Sequence, residues 1–207
     1  MSSLRQATFL TTVANLRNLP DDALAEVAFA GRSNAGKSSA INTLADHTRL
    51  AFVSKTPGRT QHLNFFTVRP GCYLVDLPGY GFAKAPEEIR AQWEGLIGPY
   101  LAGRPQLAGL VLIMDSRRGF TPLDRQLVDW FIPTGRPLHI LLTKADKLTR
   151  QASANALRAV QAELAKLPVQ GSVQLFSSLK KTGVDEARAV IQHWFAVAAG
   201  ADAATER

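Results

Sequence analysis

The chain has 207 residues, 46% of them hydrophobic, enough for one well-formed core with some length left for tails. Its one cysteine, Cys72, rules out an intramolecular disulfide and fits a reducing compartment, and no run approaches the ~20 apolar residues that a membrane span needs. The net charge of +7, with a pI near 9.9, is scattered rather than gathered into a tail; it suits a folded surface that meets a polyanion, rRNA or an acidic membrane, against the plainer alternative of a basic soluble protein.

Residues 1–20 read as an N-terminal extension without a signal-peptide core, because Asn15, Arg17 and Asn18 break the apolar residues between Phe9 and Leu19. Glu26–Ala30 has strand character. It leads into Gly31-Arg32-Ser33-Asn34-Ala35-Gly36-Lys37-Ser38 and then a helix over Lys37–Leu44. Gly-x-x-x-x-Gly-Lys-Ser between a strand and a helix is the phosphate-binding P-loop: its glycines let backbone N–H groups wrap a di- or triphosphate. Lys37 supplies a point charge to the β/γ-phosphates, and the Ser38 hydroxyl is a Mg²⁺ ligand. Strands Leu63–Val68 and Tyr73–Asp76 are joined by Pro70-Gly71, a tight-turn signal that predicts an antiparallel hairpin. Strands at Leu107–Met114, Leu138–Thr143 and Val173–Phe176 alternate with helices at Glu87–Leu101, Pro122–Phe131, Arg150–Leu167 and Val184–Ala198, the pattern of a parallel α/β sheet. The expectation is one domain over 21–198, followed by a flexible tail at 199–207.

Four further segments bear on the nucleotide. Asp76-Leu77-Pro78-Gly79 closes a strand, where the carboxylate suits Mg²⁺ through water and the Gly79 N–H suits a γ-phosphate. Thr143-Lys144-Ala145-Asp146 follows another strand. Asp146 is placed to accept hydrogen bonds from guanine N1–H and N2–H, donors that adenine lacks, while the Lys144 stem lies over the base. Phe176-Ser177-Ser178 ends the series, with a backbone N–H for guanine O6. Between P-loop and Asp76 the polar loop Ser54–His62 carries Gly58, Arg59, Thr60, Gln61 and His62. A threonine hydroxyl there completes the Mg²⁺ shell with GTP and leaves it after hydrolysis; Thr60 is the best placed and Thr56 competes.

With these residues assembled, the chain closely resembles the EngB/YihA/YsxC family of bacterial GTP-binding proteins, through 31–39, Thr-Pro-Gly-Arg-Thr-Gln at 56–61, Asp-Leu-Pro-Gly-Tyr-Gly at 76–81, Thr-Lys-Ala-Asp-Lys at 143–147 and Phe-Ser-Ser-Leu-Lys-Lys at 176–181. Asp115-Ser116-Arg117-Arg118-Gly119 resembles the family's Asp-x-Arg-His segment with Arg118 in place of His, so no role needing a histidine is assigned there. The resemblance implies a Ras-like fold, a six-stranded, mostly parallel sheet with one antiparallel strand and helices on both faces. It also implies a cytoplasmic, monomeric GTPase that assembles the large ribosomal subunit and whose loss disturbs growth and cell division. Lys55, Arg59, Arg117, Arg118, Lys147, Lys180 and Lys181 are then candidates for an RNA-facing rim, or simply a solvated surface.

The catalytic set expected from this reading is Lys37, Thr60, Gly79 and Asn34, acting with Mg²⁺. Tyr80 stands after Gly79, where many GTPases carry a water-orienting glutamine, so slow intrinsic hydrolysis is expected, stimulated by a partner or a monovalent cation. In related GTPases an asparagine at the position of Asn34 helps bind K⁺ beside the phosphates; alternatively Asn34 only tolerates the loop's backbone angles. A non-catalytic GTP/GDP- or alarmone-sensing module and a division-site scaffold are the competing functions.

Overall fold

The computed structural model describes residues 4–52, 62–81 and 93–205. Among them a seven-stranded sheet has the order β1 (Thr8–Val13), β3 (Leu63–Arg69), β4 (Cys72–Asp76), β2 (Ala25–Gly31), β5 (Leu107–Asp115), β6 (Leu138–Thr143), β7 (Gly171–Leu175). Strands β2, β4, β5, β6 and β7 are parallel, and β3 is antiparallel to both its neighbours, so it is the one strand that opposes the rest.

Side chains on a strand alternate between the two faces. Val27, Phe29, Leu74, Val111, Ile113 and Leu141 therefore point to one side, where α1 (Lys37–Leu44) and α5 (Val184–Thr205) bring Ile41, Leu44, Ile191 and Trp194. Ala28, Val75, Leu110, Leu112, Ile140 and Leu142 point to the other side. There α2 (Gly98–Gly103), α3 (Pro122–Phe131) and α4 (Arg150–Leu164) bring Tyr100, Leu127, Phe131 and Val160. A strand covered on both faces reads as a continuous apolar run, and all seven residues of β2 are buried. At Gly109 any side chain would start 2.5 Å from the ring of Trp194, so only glycine lets α5 lie this close to β5.

The expected six strands are corrected to seven. The added strand, β1, lies within residues 1–20, the segment the sequence reading set apart as an extension. Only one of its six residues, Val13, is buried, so an edge strand of this kind lacks the alternation that would reveal it. Two differences lie at the other end of the chain: β7 is Gly171–Leu175 rather than Val173–Phe176, and the last helix runs to Thr205 instead of ending at Ala198. Residues 82–92 lie outside the described residues, and of the helix expected over Glu87–Leu101 the described part includes α2.

The end of the sheet where β2 begins is closed by a buried ionic network. Glu26, fully buried, accepts from Tyr100 Oη–H (2.7 Å) and from Arg104 Nε–H and Nη2–H (2.9 and 2.6 Å). Arg104 Nη2 also donates to the Pro20 carbonyl at 2.6 Å. Every functional group of this carboxylate is used, as a buried charge requires.

Candidate functional site

The opposite end of the sheet, where the parallel strands terminate, carries the sequence-predicted site residues. β2 ends at Gly31 and the chain turns through Asn34 (φ 66°) and Gly36 (φ 100°) before α1 starts at Lys37. Gly36 is the N-cap of α1 and has no side chain to cap the first N–H groups, which leaves them free of a side-chain acceptor, as phosphate binding at a helix start requires. At the far end of α1, Arg188 of α5 donates to the Leu44 and Thr43 carbonyls (2.9 and 3.3 Å), which fixes this eight-residue helix and hence the loop before it.

Lys37 Nζ forms an ion pair with Asp76 at the end of β4, both side chains being almost buried. The phosphate-directed cation and the metal-directed carboxylate thus converge on one point, with Ser38 the next residue along. Beyond Asp76 the ladder continues by Leu77 N–H to Phe29 O (3.0 Å), Tyr80 N–H to Gly31 O (3.3 Å) and Ser33 N–H to Tyr80 O (2.8 Å). These bonds lay the Asp76–Gly79 turn beside the P-loop. A Cβ on Gly79 would sit 3.2 Å from Ser33 Oγ. Leu77 is itself fully buried and meets the site through its backbone alone.

Tyr80 does not face this point. Its ring is in the core and its hydroxyl donates to Asp124 Oδ1 at 2.5 Å. Burial, then the Asp124 charge, push its pKa well up, so the phenol stays protonated. Asp124 is occupied on its other oxygen by Thr121 N–H and Oγ1–H (2.9 and 2.6 Å), the capping box that starts α3. A residue held this way orients no attacking water.

The Thr143–Asp146 segment is tied to the P-loop twice. Thr143 Oγ1 bonds the carbonyls of Ala35 and Met114 (2.5 and 3.0 Å). Lys144, at φ 58°, donates from Nζ to the Asn34 carbonyl (2.7 Å) and pairs with Asp115 (3.0 Å). Asp146 Oδ1 accepts from Ser177 Oγ–H at 2.5 Å, and Ala145 N–H donates to the Phe176 carbonyl at 3.2 Å, so the Thr143–Asp146 and Phe176–Ser178 segments are one unit. Phe176 is fully buried and acts through its backbone; Ser178 is half-buried.

A family model described as 50S ribosome-binding GTPase matches residues 26–144. A probable GTP-binding protein EngB from Dechloromonas aromatica is 69% identical, over 94% of this chain and 89% of its own length; that from Aromatoleum aromaticum is 62% identical, over 94% and 90%. The chain belongs to the EngB family of GTP-binding proteins. A crystal structure of a probable GTP-binding protein engB superposes with a TM-score of 0.65 at 22% identity, covering 82% of this chain and 98% of that one. Era in complex with MgGDPNP and nucleotides 1506–1542 of 16S ribosomal RNA gives 0.61 at 22% identity, covering 81% and 56%. Both likenesses show the P-loop GTPase fold. Membership of the EngB family implies GTP binding, and GTP hydrolysis in general.

Within this EngB site, Gly58, Arg59, Thr60 and Gln61 lie outside the described residues, and His62, exposed, stands at their edge. After α1 the chain is held at Ala51: the Asn42 side chain donates to the Ala51 carbonyl (2.9 Å) and accepts from the Ala51 N–H (2.7 Å). For a metal, Ser38 and Asp76 offer a hydroxyl and a carboxylate, hard oxygen donors, and no cluster of three His, Cys, Asp or Glu exists among the described residues. That set fits Mg²⁺, which keeps several waters and leans on substrate phosphates rather than on an all-protein cage.

Sequence reasoning gave Asp115 only as part of a family-like segment. It accepts from Arg117 N–H, Nε–H and Nη2–H (3.1, 2.9 and 2.6 Å) as well as pairing with Lys144. Burial alone would raise its pKa, but the Arg117 and Lys144 hydrogen bonds outweigh it and hold the carboxyl well below the usual range. Asp115 thereby positions the lysine that joins the loop after β6 to the P-loop. An aspartate two residues before an arginine at a strand end was the available signal. The Tyr80–Asp124 bond, by contrast, had no local signature.

Proposed function

We propose that this chain is a GTP-dependent switch in assembly of the large ribosomal subunit, a monomer acting in the cytoplasm, with slow intrinsic hydrolysis. Its loss is expected to disturb growth and division. The observation that carries the slow rate is the burial of Tyr80 against Asp124, which leaves the usual water-orienting position without a group facing the phosphates. The base assignment is supported by Asp146 and Ser177 standing together at the strand ends.

In the mechanism this reading implies, the P-loop N–H groups and Lys37 hold the β- and γ-phosphates. The Gly79 N–H reports the γ-phosphate, and Thr60 joins when triphosphate is present. Mg²⁺ would neutralise phosphate charge here, held by the Ser38 hydroxyl, by Asp76 through water and, with triphosphate, by Thr60. Asn34, exposed beside the loop, is the residue for K⁺, whose charge would stand where other enzymes use an arginine. The ribosomal role is supported by the family, the +7 charge and the lysines and arginines at the strand-end loops, Arg117, Arg118, Lys147, Lys180 and Lys181.

Co-sedimentation with purified ribosomal subunits and their precursors tests the reading. Binding to the large subunit should be tighter with a non-hydrolysable GTP analogue than with GDP and should weaken steeply with salt. Equal binding in both nucleotide states, or none, removes the assembly switch and leaves a nucleotide-sensing module or scaffold.

A further inference from the structure

On the α3 side of the P-loop lies a cavity of about 310 Å³ that shares Asn34 and Lys144 with the nucleotide site and extends past it to Arg118, Thr121 and Asp124, which the nucleotide chemistry above does not use. Its walls are the outer side of the P-loop, the loop after β5 and the first turn of α3. The volume is at the low end of small-ligand pockets, ~300–1,000 Å³.

The charges on its walls do not cancel. Four cations, Arg32, Arg117, Arg118 and Lys144, face two carboxylates, Asp115 and Asp124. Asp115 is fully engaged by Arg117 and Lys144. Asp124 is engaged by Tyr80 and Thr121, with no ion pair among the described residues. Among the described residues the balance left over is the guanidinium of Arg32 and that of Arg118. Arg32 Nε is buried and has no hydrogen-bond partner. It sits beside Gly81, where a Cβ would be only 3.2 Å from it. A buried donor without an acceptor is costly, and a guanidinium fork is matched to oxyanions. The α3 N-terminus adds its positive dipole end to the same wall.

The geometry points to an oxyanion site in this cavity, beside the GTP site and sharing a wall with it, that takes the phosphate of a small phosphomonoester or the free phosphate ion, with Arg32 and Arg118 as donors. A phosphodiester backbone is the poorer fit, because a recessed pocket of this size admits a terminal phosphate rather than a chain passing through, and a monoester brings the second charge that two guanidinium groups call for. The inference uses nucleotide loading but not hydrolysis.

The test is calorimetric titration of inorganic phosphate, methyl phosphate and dimethyl phosphate into protein saturated with Mg²⁺ and a non-hydrolysable GTP analogue, so that the γ-phosphate position is already filled. One phosphate per chain should bind; binding of methyl phosphate as well assigns a larger monoester ligand, and of inorganic phosphate alone, the free ion. Arg118→Gln should weaken it about tenfold or more, the loss of a charged hydrogen bond, without changing affinity for the analogue. Arg32→Gln should do the same to phosphate, with analogue loading measured in the same samples. Absence of binding to the loaded protein, phosphate affinity unchanged in both variants, or dimethyl phosphate binding as tightly as the monoester would each overturn the site. Failure of the analogue to load is a separate result and would count against the GTP-binding reading instead.

Discussion

The two ends of the central sheet handle charge in opposite ways. At the end where β2 begins, Glu26, Arg104 and Tyr100 form a buried set in which each carboxylate oxygen has its donor. At the end where β2 stops, Lys37, Asp76, Asp115, Lys144 and Asp146 crowd together, with left-handed backbone at Asn34 and Lys144. Strained conformations and gathered charge persist where the surrounding structure holds them for a purpose. One end is built to be finished when the chain folds, the other when nucleotide arrives. The difference is testable because stability that comes from a ligand vanishes when the ligand is withdrawn, and stability from a closed network does not.

The largest effect should come from the closed end. Glu26→Gln leaves Arg104 buried without its counter-charge, and breaking one partner of a buried pair costs about 3–5 kcal/mol. Urea unfolding should show that loss equally with and without saturating GDP, and a loss confined to the GDP-bound protein would place Glu26 in the nucleotide system. Asp146→Asn should behave in the reverse manner. Asparagine still accepts from Ser177, so the nucleotide-free protein should unfold as before, within about 0.5 kcal/mol. The GDP-dependent part of its stability, about 4 kcal/mol at a thousandfold excess over the dissociation constant, should fall away and return with xanthosine diphosphate. Equal GDP stabilisation of variant and parent would take guanine recognition away from this residue.

These two ends were not equally legible in the sequence. The open end announced itself, because phosphate and guanine chemistry demand particular residues at fixed places on strand ends: Gly31 to Ser38, Asp76 to Gly79, Thr143 to Asp146. The hairpin was legible from Pro70-Gly71, whose glycine has φ 72°. The closed end was silent: Glu26 looked like the polar start of a strand, and its partners are 74 and 78 residues away. β1 was hidden for a different reason. An edge strand with Phe9, Leu10 and Thr12 all exposed and a register shift between Phe9 and Thr11 has no clean period to read. Long-range polar pairs and edge strands are set by tertiary neighbours, and a single sequence states neither.

Tyr80 joins the open end to the core, and smaller effects should follow from cutting it. Tyr80→Phe removes the hydroxyl that meets Asp124 and leaves a buried acceptor with Thr121 as its remaining partner, a cost of about 1–2 kcal/mol. Tyr80→Gln should fail to accelerate single-turnover GTP hydrolysis by more than about threefold, because the side chain at this position enters the core and not the phosphate site. A rise of a hundredfold would mean that position 80 does reach the attacking water, and the distinction drawn above between Tyr80 and the reacting groups would fall.

The smallest effect concerns Asp115, a carboxylate at the open end held by Arg117 and Lys144. Its pKa in the folded protein is depressed by Arg117 and Lys144, so its contribution to stability is present above the unfolded carboxylate value, near 4, and is lost as pH falls below that toward the folded value. Arg117 is half-exposed, and solvent weakens its share. Asp115→Asn should therefore flatten the acid limb of the stability–pH curve while costing about 1 kcal/mol at pH 7. It should also loosen Lys144 from the Asn34 carbonyl and so weaken GDP and GTP alike, by about tenfold, since the tether serves the loop and not the γ-phosphate. If the parent and the variant lose stability in parallel between pH 5 and pH 3, Asp115 is not the group that titrates, and the open end owes its acid sensitivity to another carboxylate.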